Sequence, residues 1–373
     1  MRLHTLNPNQ KYWVVRPGEN GRYFEHFREN NIMCLGHMDA VPVESEGFVG
    51  ANSLERIESE IRALENKKNL DDRESASQLS KKLSQVRTFV DDMSVGDIVF
   101  TLDSDRILLG TIKSQAFVDT TPLRGAESRR ASATFLNYKL RRFVEWEFPK
   151  PRQGIPLVVR VSLAANQTVF SLENHKLMLN HWLFSMFQLD EKIYFSTKLS
   201  EDEGISQFHV TEFQRMIQKL ELLSGLIQSG EINNDSILDD TLVNRVESEY
   251  VVKGLKAEFT LTTKNVFMSP GNIWSEMNAD KTRAAIFSML LSTFFSTSVD
   301  AEEYVALSED VRNVTLKVAE KFNEHSKFDI FKSSIGASLD KPNKGIPAIK
   351  VTSKIPENEI IFPEDNEEGV TGL

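Results

Sequence analysis

Residues 12–37, YWVVRPGENGRYFEHFRENNIMCLGH, decide how the first part of the chain folds. Tyr12 to Val15 is aromatic and β-branched, the composition of a strand. Pro17, Gly18, Asn20 and Gly21 break that strand, because proline fixes φ and glycine supplies the positive-φ corners that other residues resist. Tyr23, Phe24 and Phe27 lie three to four apart, so one short helix can turn them inward before a second strand at Ile32 to Leu35. Arg16 sits where the first strand runs into the turn. Further along, Val95 to Lys113 has two β-rich arms joined by the polar DSDR, which predicts a hairpin. Arg141 to Glu147 alternates like another strand. Together these stretches predict a small, strongly curved β-barrel with helices inserted.

Taken in order, several short motifs resemble a known family. They are Trp13-Val-Val-Arg16-Pro-Gly18 followed by Gly21 and a phenylalanine, Met33-Cys-Leu-Gly36, Val95-Gly96-Asp97, Leu109-Gly110-Thr-Ile and Arg142-Phe-Val-Glu-Trp146. Over roughly residues 10–175 they resemble the EVE and PUA-like barrels found at the N-termini of Mrr-type and other modification-dependent restriction proteins. The resemblance implies DNA binding: a reader of a modified or flipped base in a prokaryotic restriction and antiviral defence system, beside a partner nuclease or other defence protein. It places Trp13 and Arg16 in the family's first-strand motif. It also draws the wall of the base slot from the loop after the second core strand, here His37 to Phe48, so His37, Asp39 and Phe48 are expected there. The family often carries a tryptophan where this chain has His37.

A slot for a flat ring needs aromatic walls and a few polar groups on the ring's edge; stacking supplies about 1 to 3 kcal/mol per base, and hydrogen bonds choose among bases. Trp13 and Trp146, from two strands of the expected barrel, are candidate walls, and either serves equally well as core. Arg16 is a candidate contact or a loop brace. Asp39 suits an exocyclic amine and Phe48 suits stacking; His37 alone reads more readily as a surface or core histidine.

The net charge of −10 argues against a chain that coats nucleic acid over its whole surface. Residues 1–200 balance at +2 and residues 201–373 at −12, so only the first half favours a polyanion. Arg124, Arg129, Arg130, Arg141 and Arg142 cluster there as candidate phosphate contacts, with a solvated basic loop as the plain alternative. Composition, 40% hydrophobic and 26% charged, is that of a soluble globular protein long enough for two domains. The single cysteine, Cys34, excludes an internal disulfide framework and reads as a buried thiol. A signal-peptide core is missing from the first residues, and the apolar run Ala284 to Phe295 falls short of the roughly 20 residues a membrane span needs. The expectation is a cytoplasmic protein with no membrane partner.

Asn52 and Glu55 suggest a capped helix start, with Leu54, Ile57, Ile61 and Leu64 at helical spacing. A second charged helix, about 73–89, completes the insertion. The loop at 119–134 is long enough to suggest a function. A helix at 173–189 is expected to close the first core, giving a domain over 1–200. Residues 201–340 read as a helix-rich α+β domain: an amphipathic helix at 210–228, a strand pair within 250–262, then helices at 281–296 and 301–325. Residues 341–373 read as an extended acidic tail. The fold class is therefore α+β, with a PUA/EVE-like barrel first, and the second domain leaves room for an oligomer.

Neither catalytic, metal nor cofactor motifs emerge. Glu65-x-Lys67 and Asp190-x-Lys192 share one spacing with metal-dependent nucleases, but lack the strand and upstream Asp that chemistry needs. HExxH, GxxxxGK[ST] and GxSxG are missing. Two alternatives to the reader stand: a structural or effector subunit whose barrel docks a protein or small nucleotide, and a degenerate or unrecognised nuclease.

Overall fold

The computed structural model describes residues 3–125, 135–152, 155–164, 167–200, 204–234, 241–266, 271–296 and 307–339. Among these, the chain forms two compact units, one from 9–176 and the other from 3–8 with 177–339. The predicted tail at 341–373 lies outside the described residues.

Chain order begins with the two-residue strand β1 (His4–Thr5), which belongs to the second unit. The first unit then runs β2 (Tyr12–Val15), α1 (Phe24–Asn30), β3 (Ile32–Leu35), β4 (Gly47–Phe48), α2 (Ala51–Lys67) and α3 (Ala76–Arg87). It continues with β5 (Ile98–Leu102), β6 (Arg106–Ile112), β7 (Phe117–Val118), β8 (Leu123–Arg124), β9 (Phe135–Leu136), β10 (Leu140–Trp146), β11 (Lys150–Pro151), α4 (Leu157–Ser162) and β12 (Val169–Ser171). The main sheet has the order β12-β2-β5-β6-β10-β7-β4, with β11 also on β6 and β3 also on β10. It curls because β10 changes partners along its length. Residues 140–143 pair with β3, whereas 144–146 pair with β6. The result is a curled half-barrel.

All four residues of β2 and of β3 are buried, as continuous apolar runs predict. Between them the chain must turn tightly. Gly21, at φ +76, stands where a Cβ would lie 2.6 Å from the Asp103 backbone, so only glycine fits. The helical insertion packs Leu54, Ile57, Ile61, Leu83 and Val86 into the same core as β2, β3 and β10. The expected Asn52 cap is not used: α2 starts at Ala51 behind Gly50, and the capping box in this region is Ser75 with Gln78.

The second unit runs α5 (Lys176–Leu183), β13 (Met186–Leu189), β14 (Lys192–Leu199), α6 (Gln207–Gln228) and α7 (Leu242–Leu255). After these come β15 (Thr262–Val266), β16 (Gly271–Asn278), α8 (Lys281–Phe294), α9 (Glu309–Ser326), α10 (Phe328–Ser334) and β17 (Ala337–Ser338). Its sheet order is β1-β13-β14-β16-β15, with β17 on β14. The helix Lys281–Phe294 is buried around most of its circumference, matching its apolar sequence. Two expectations change here. The first part of the predicted strand pair within 250–262, residues 250–255, is the end of helix α7, and the strands lie later, at β15 and β16. The segment 177–199, expected to close the first core, belongs to the second unit, because β14 pairs along all eight of its residues with β16.

Candidate nucleic-acid interface

Both tryptophans turn out to be core rather than cage. Trp13 is 6% exposed, and its indole Nε1–H donates to Asp97 Oδ2 at 2.8 Å. Asp97 also accepts from the Lys11 and Ser94 backbone amides, tying the entry of β2 to the entry of β5. Trp146 is 2% exposed and donates to the carbonyl oxygens of Phe27 (3.0 Å) and Ile32 (3.3 Å). Its ring lies over Gly110, where a Cβ would come within 2.5 Å of it. A large amphipathic ring with its polar handle satisfied inside the protein offers no face to a base.

Arg141 and Arg142 are likewise corrected from phosphate contacts to internal braces. The helical insertion ends in a π-type turn, Thr88–Asp92, which leaves carbonyls needing donors. Arg142, 1% exposed, supplies them: its guanidinium donates to the carbonyl oxygens of Phe89, Val90, Met93 and Ser114 at 2.7 to 3.0 Å. Burial holds its pKa down at about 10. Arg141, fully buried, pairs with Asp119 at 2.9 Å and donates to the carbonyl oxygens of Tyr138 and Thr121. Arg129 and Arg130 lie outside the described residues. Arg124 alone of the described candidates is exposed.

Among the remaining predicted ligands, Arg16 acts as a brace, donating through Nε to Gln167 O at 3.0 Å and through Nη2 to Leu163 O at 2.6 Å. Burial, and then the neighbouring charge of Arg152, lower its pKa. His37 Nε2 lies 3.4 Å from Gln85 Oε1, an oxygen that also receives the amides of Thr168 and Val169. Burial keeps that imidazole below its usual pKa. Phe48 is half-buried against the core on β4. Asp39 differs from all of these. It is a half-buried carboxyl whose closest donor is the Lys139 backbone amide at 3.4 Å, while Lys139 Nζ goes instead to Val41 O. Burial raises its pKa to about 6.

The structure builds a cluster near Asp39 that the sequence did not single out. Gly36, three residues upstream, permits the Tyr138 ring to approach: a Cβ there would lie 2.6 Å from it. Tyr138 meets Tyr23 edge-on at 5.2 Å, and Tyr23 meets His26 at 5.3 Å. The exposed Arg22 lies over the Tyr23 ring at 4.4 Å and donates to its hydroxyl. Burial, Tyr23 and the Asp39 charge together raise the Tyr138 pKa. The β8–β9 pair is held to α1 by Asn30, whose Nδ2 donates to Arg124 O at 2.8 Å. That contact places Arg124 and the exposed Phe135, 5.6 Å apart, beside the same helix. Two exposed guanidinium groups, two accessible aromatic rings and a carboxyl titrating near neutrality are thus gathered around α1. A strongly shifted carboxyl beside such groups is a functional-site signature. Tyr138 was visible in outline, as the aromatic residue interleaved with Lys139, Arg141 and Arg142; Arg22 carried no signal.

Among the described residues no group of three or more His, Cys, Asp or Glu is placed to hold a metal ion, and no helix is long and apolar enough to cross a membrane. Comparisons with known protein families, curated proteins and solved structures return no match.

Proposed function

We propose that residues 9–176 form a PUA/EVE-like module that reads DNA, with a modified or flipped base as its ligand. In this reading the chain has no catalytic site of its own and works in the cytoplasm of a prokaryote, beside a nuclease or other defence protein. The observation that carries it is the grouping of Arg22, Tyr23, Tyr138 and Asp39 at the start of α1, with Arg124 and Phe135 alongside. Exposed arginines supply salt-dependent phosphate contacts, Tyr138 and Phe135 supply stacking, and Asp39 supplies an edge acceptor. This replaces Trp13, Trp146, Arg141 and Arg142 as the working residues.

The test is fluorescence anisotropy of the full chain on a labelled duplex, with and without base modifications at its centre, at two salt concentrations. Binding should weaken steeply with salt, and Arg22→Ala with Arg124→Ala should flatten that dependence by about two contacts. Tyr138→Ala should cost about tenfold in affinity, the loss of one stacked base. Binding that ignores salt, or that survives all three substitutions unchanged, overturns the reading.

A further inference from the structure

We infer that the second unit carries a binding site for a small, hydroxyl-bearing oxyanion, of the class of a sugar phosphate or sugar acid. The site is a cleft of 390 Å³ lined by Thr211, Gln214, Arg215, Gln218, Tyr250, Leu261 and Thr263. That volume lies within the range of small-molecule sites.

The lining follows from how α6 is built. Its apolar positions Val210, Phe213, Met216, Ile217 and Leu220 enter the core. Thr211, Gln214, Arg215 and Gln218 recur at the spacing of the opposite helical face and stack as one polar stripe. Helix α7 brings Tyr250 to that stripe, and the sheet's edge strand β15 brings Thr263 with Leu261 just before it. The stripe therefore lines a shallow cleft that opens to solvent.

The chemistry of this wall is selective. It holds one guanidinium, two carboxamides, two aliphatic hydroxyls and a phenol, and no carboxylate. The Tyr250 hydroxyl donates to Gln218 Oε1 at 2.8 Å, which fixes that amide and leaves its nitrogen as a donor. Arg215 lies 5.4 Å from the Tyr250 ring, and its carboxylate neighbour, Glu212, stands off at 3.7 Å in a part-exposed pair. Such a pair holds the guanidinium weakly, so an incoming oxyanion displaces it at little cost. Arginine with amide donors suits the planar fork of a carboxylate or the edge of a phosphate. Thr211 Oγ1, which donates to Gln207 O at 2.8 Å, and Thr263 Oγ1, 3.4 Å from Ser275 Oγ, keep lone pairs that suit hydroxyl groups.

An aromatic ligand is not what the cleft fits. The Tyr250 ring already carries Arg215, Lys219 at 5.6 Å and Phe259 at 5.3 Å, so no ring face is offered for stacking. Lys219, itself buried, pairs with Glu247 and supports the tyrosine from behind. Charge and hydroxyl groups, rather than a base, are what the site reads.

Isothermal titration of the full-length protein with ribose 5-phosphate, gluconate, inorganic phosphate and adenosine 5′-monophosphate tests this. Ribose 5-phosphate or gluconate should bind, and whichever binds more tightly identifies the oxyanion. Inorganic phosphate should bind at least tenfold more weakly, and the adenine of the nucleotide should add nothing. Arg215→Gln should weaken the better probe about tenfold or more, the scale of a charge-assisted hydrogen bond. Gln218→Glu keeps an acceptor for the Tyr250 hydroxyl and puts a like charge in the cleft; it should weaken binding equally while leaving the melting temperature of the free protein unchanged. No heat from either hydroxylated probe at 10 mM overturns the proposal. So does binding that both variants retain, or inorganic phosphate binding as tightly as ribose 5-phosphate.

Discussion

The two units of this chain solve the problem of a core in different ways. The first buries two arginines among its apolar residues and spends their donors on backbone carbonyls from distant segments, Arg142 alone reaching Phe89, Val90, Met93 and Ser114. In the other unit three buried helix hydroxyls serve their own helices: Ser288, Ser292 and Thr315 each donate to the carbonyl four residues back. Buried polarity in the first unit thus fixes which segments meet. In the second the helix hydroxyls are a local adjustment and α6, α8 and α9 meet by apolar packing, while buried Glu221 on α6 joins distant segments as Arg142 does, accepting from the Thr260 and Leu261 amides. Loss of a side chain that bridges distant segments, such as Arg142 or Glu221, should therefore cost far more than loss of a hydroxyl that serves its own helix.

The sharpest way to probe that division is to cut the chain. A break at residue 176 leaves the first sheet whole, whereas a break at 200 attaches the β13–β14 hairpin without the β16 strand it pairs with. An unpaired, largely buried strand such as β14 templates aggregation once its partner is gone. The fragment 9–176 should therefore be monomeric with a cooperative melt, and the fragment 1–200 should aggregate. Size-exclusion chromatography and circular dichroism of both distinguish these outcomes. If 1–200 behaves as well as 9–176, the hairpin does not depend on the second unit.

Next in size is a pair of substitutions, one in each unit. Arg142→Met fills much of the same space but strips four buried carbonyls of their donor, and should cost about 3 to 5 kcal/mol, the scale for breaking a buried charged network. Ser288→Ala removes a hydroxyl that donates to Ala284 O in its own helix and lies 2.8 Å from Met186 Sδ, and should cost no more than about 1 kcal/mol. Urea unfolding of both variants against the native chain decides it. Equal costs would mean that bridging distant segments adds nothing over a hydrogen bond within one helix.

What the sequence made legible tracks the same contrast. Local pattern found the elements whose cause is local: β2 and β3 from unbroken apolar runs, the turn from Gly18 and Gly21, the buried helix α8 from its composition. It misplaced what depends on distant partners. Arg141 and Arg142 read as surface cations because arginine is seldom buried, and nothing near them in sequence announces the carbonyls of the π-type turn some fifty residues earlier. Trp13 and Trp146 read as walls of a slot because a strand tryptophan looks the same whether its indole N–H meets a ligand or Asp97 and Phe27. Tyr250 fell within a stretch rich in Val and Tyr, which suits a strand, yet packing on α6 made it a helix. Asp39 alone of the six predicted ligands kept an environment that suits a functional group, and the reason is burial without a cation in contact.

That environment gives the smallest expected effect and the most specific. The Asp39 carboxyl titrates near 6 in the folded chain, above its usual 3.8, because burial disfavours the charged form. Its preference for the neutral form thus stabilises the fold fully below about pH 4, where the unfolded chain also holds the proton, and this stabilisation is lost as pH rises through 6. Above that, the folded protein carries a half-buried charge that the unfolded chain would solvate. Asp39→Asn keeps the shape and removes the charge, so it should be more stable than the native chain at pH 8 by about 1 kcal/mol, and the two should converge near pH 4. Melting temperatures of both proteins across pH 4 to 8 give the comparison directly. A difference that is constant with pH would place the effect in the amide's hydrogen bonds, and a native chain more stable at pH 8 would mean that Lys139, Arg141 and Lys82 outweigh burial at this site.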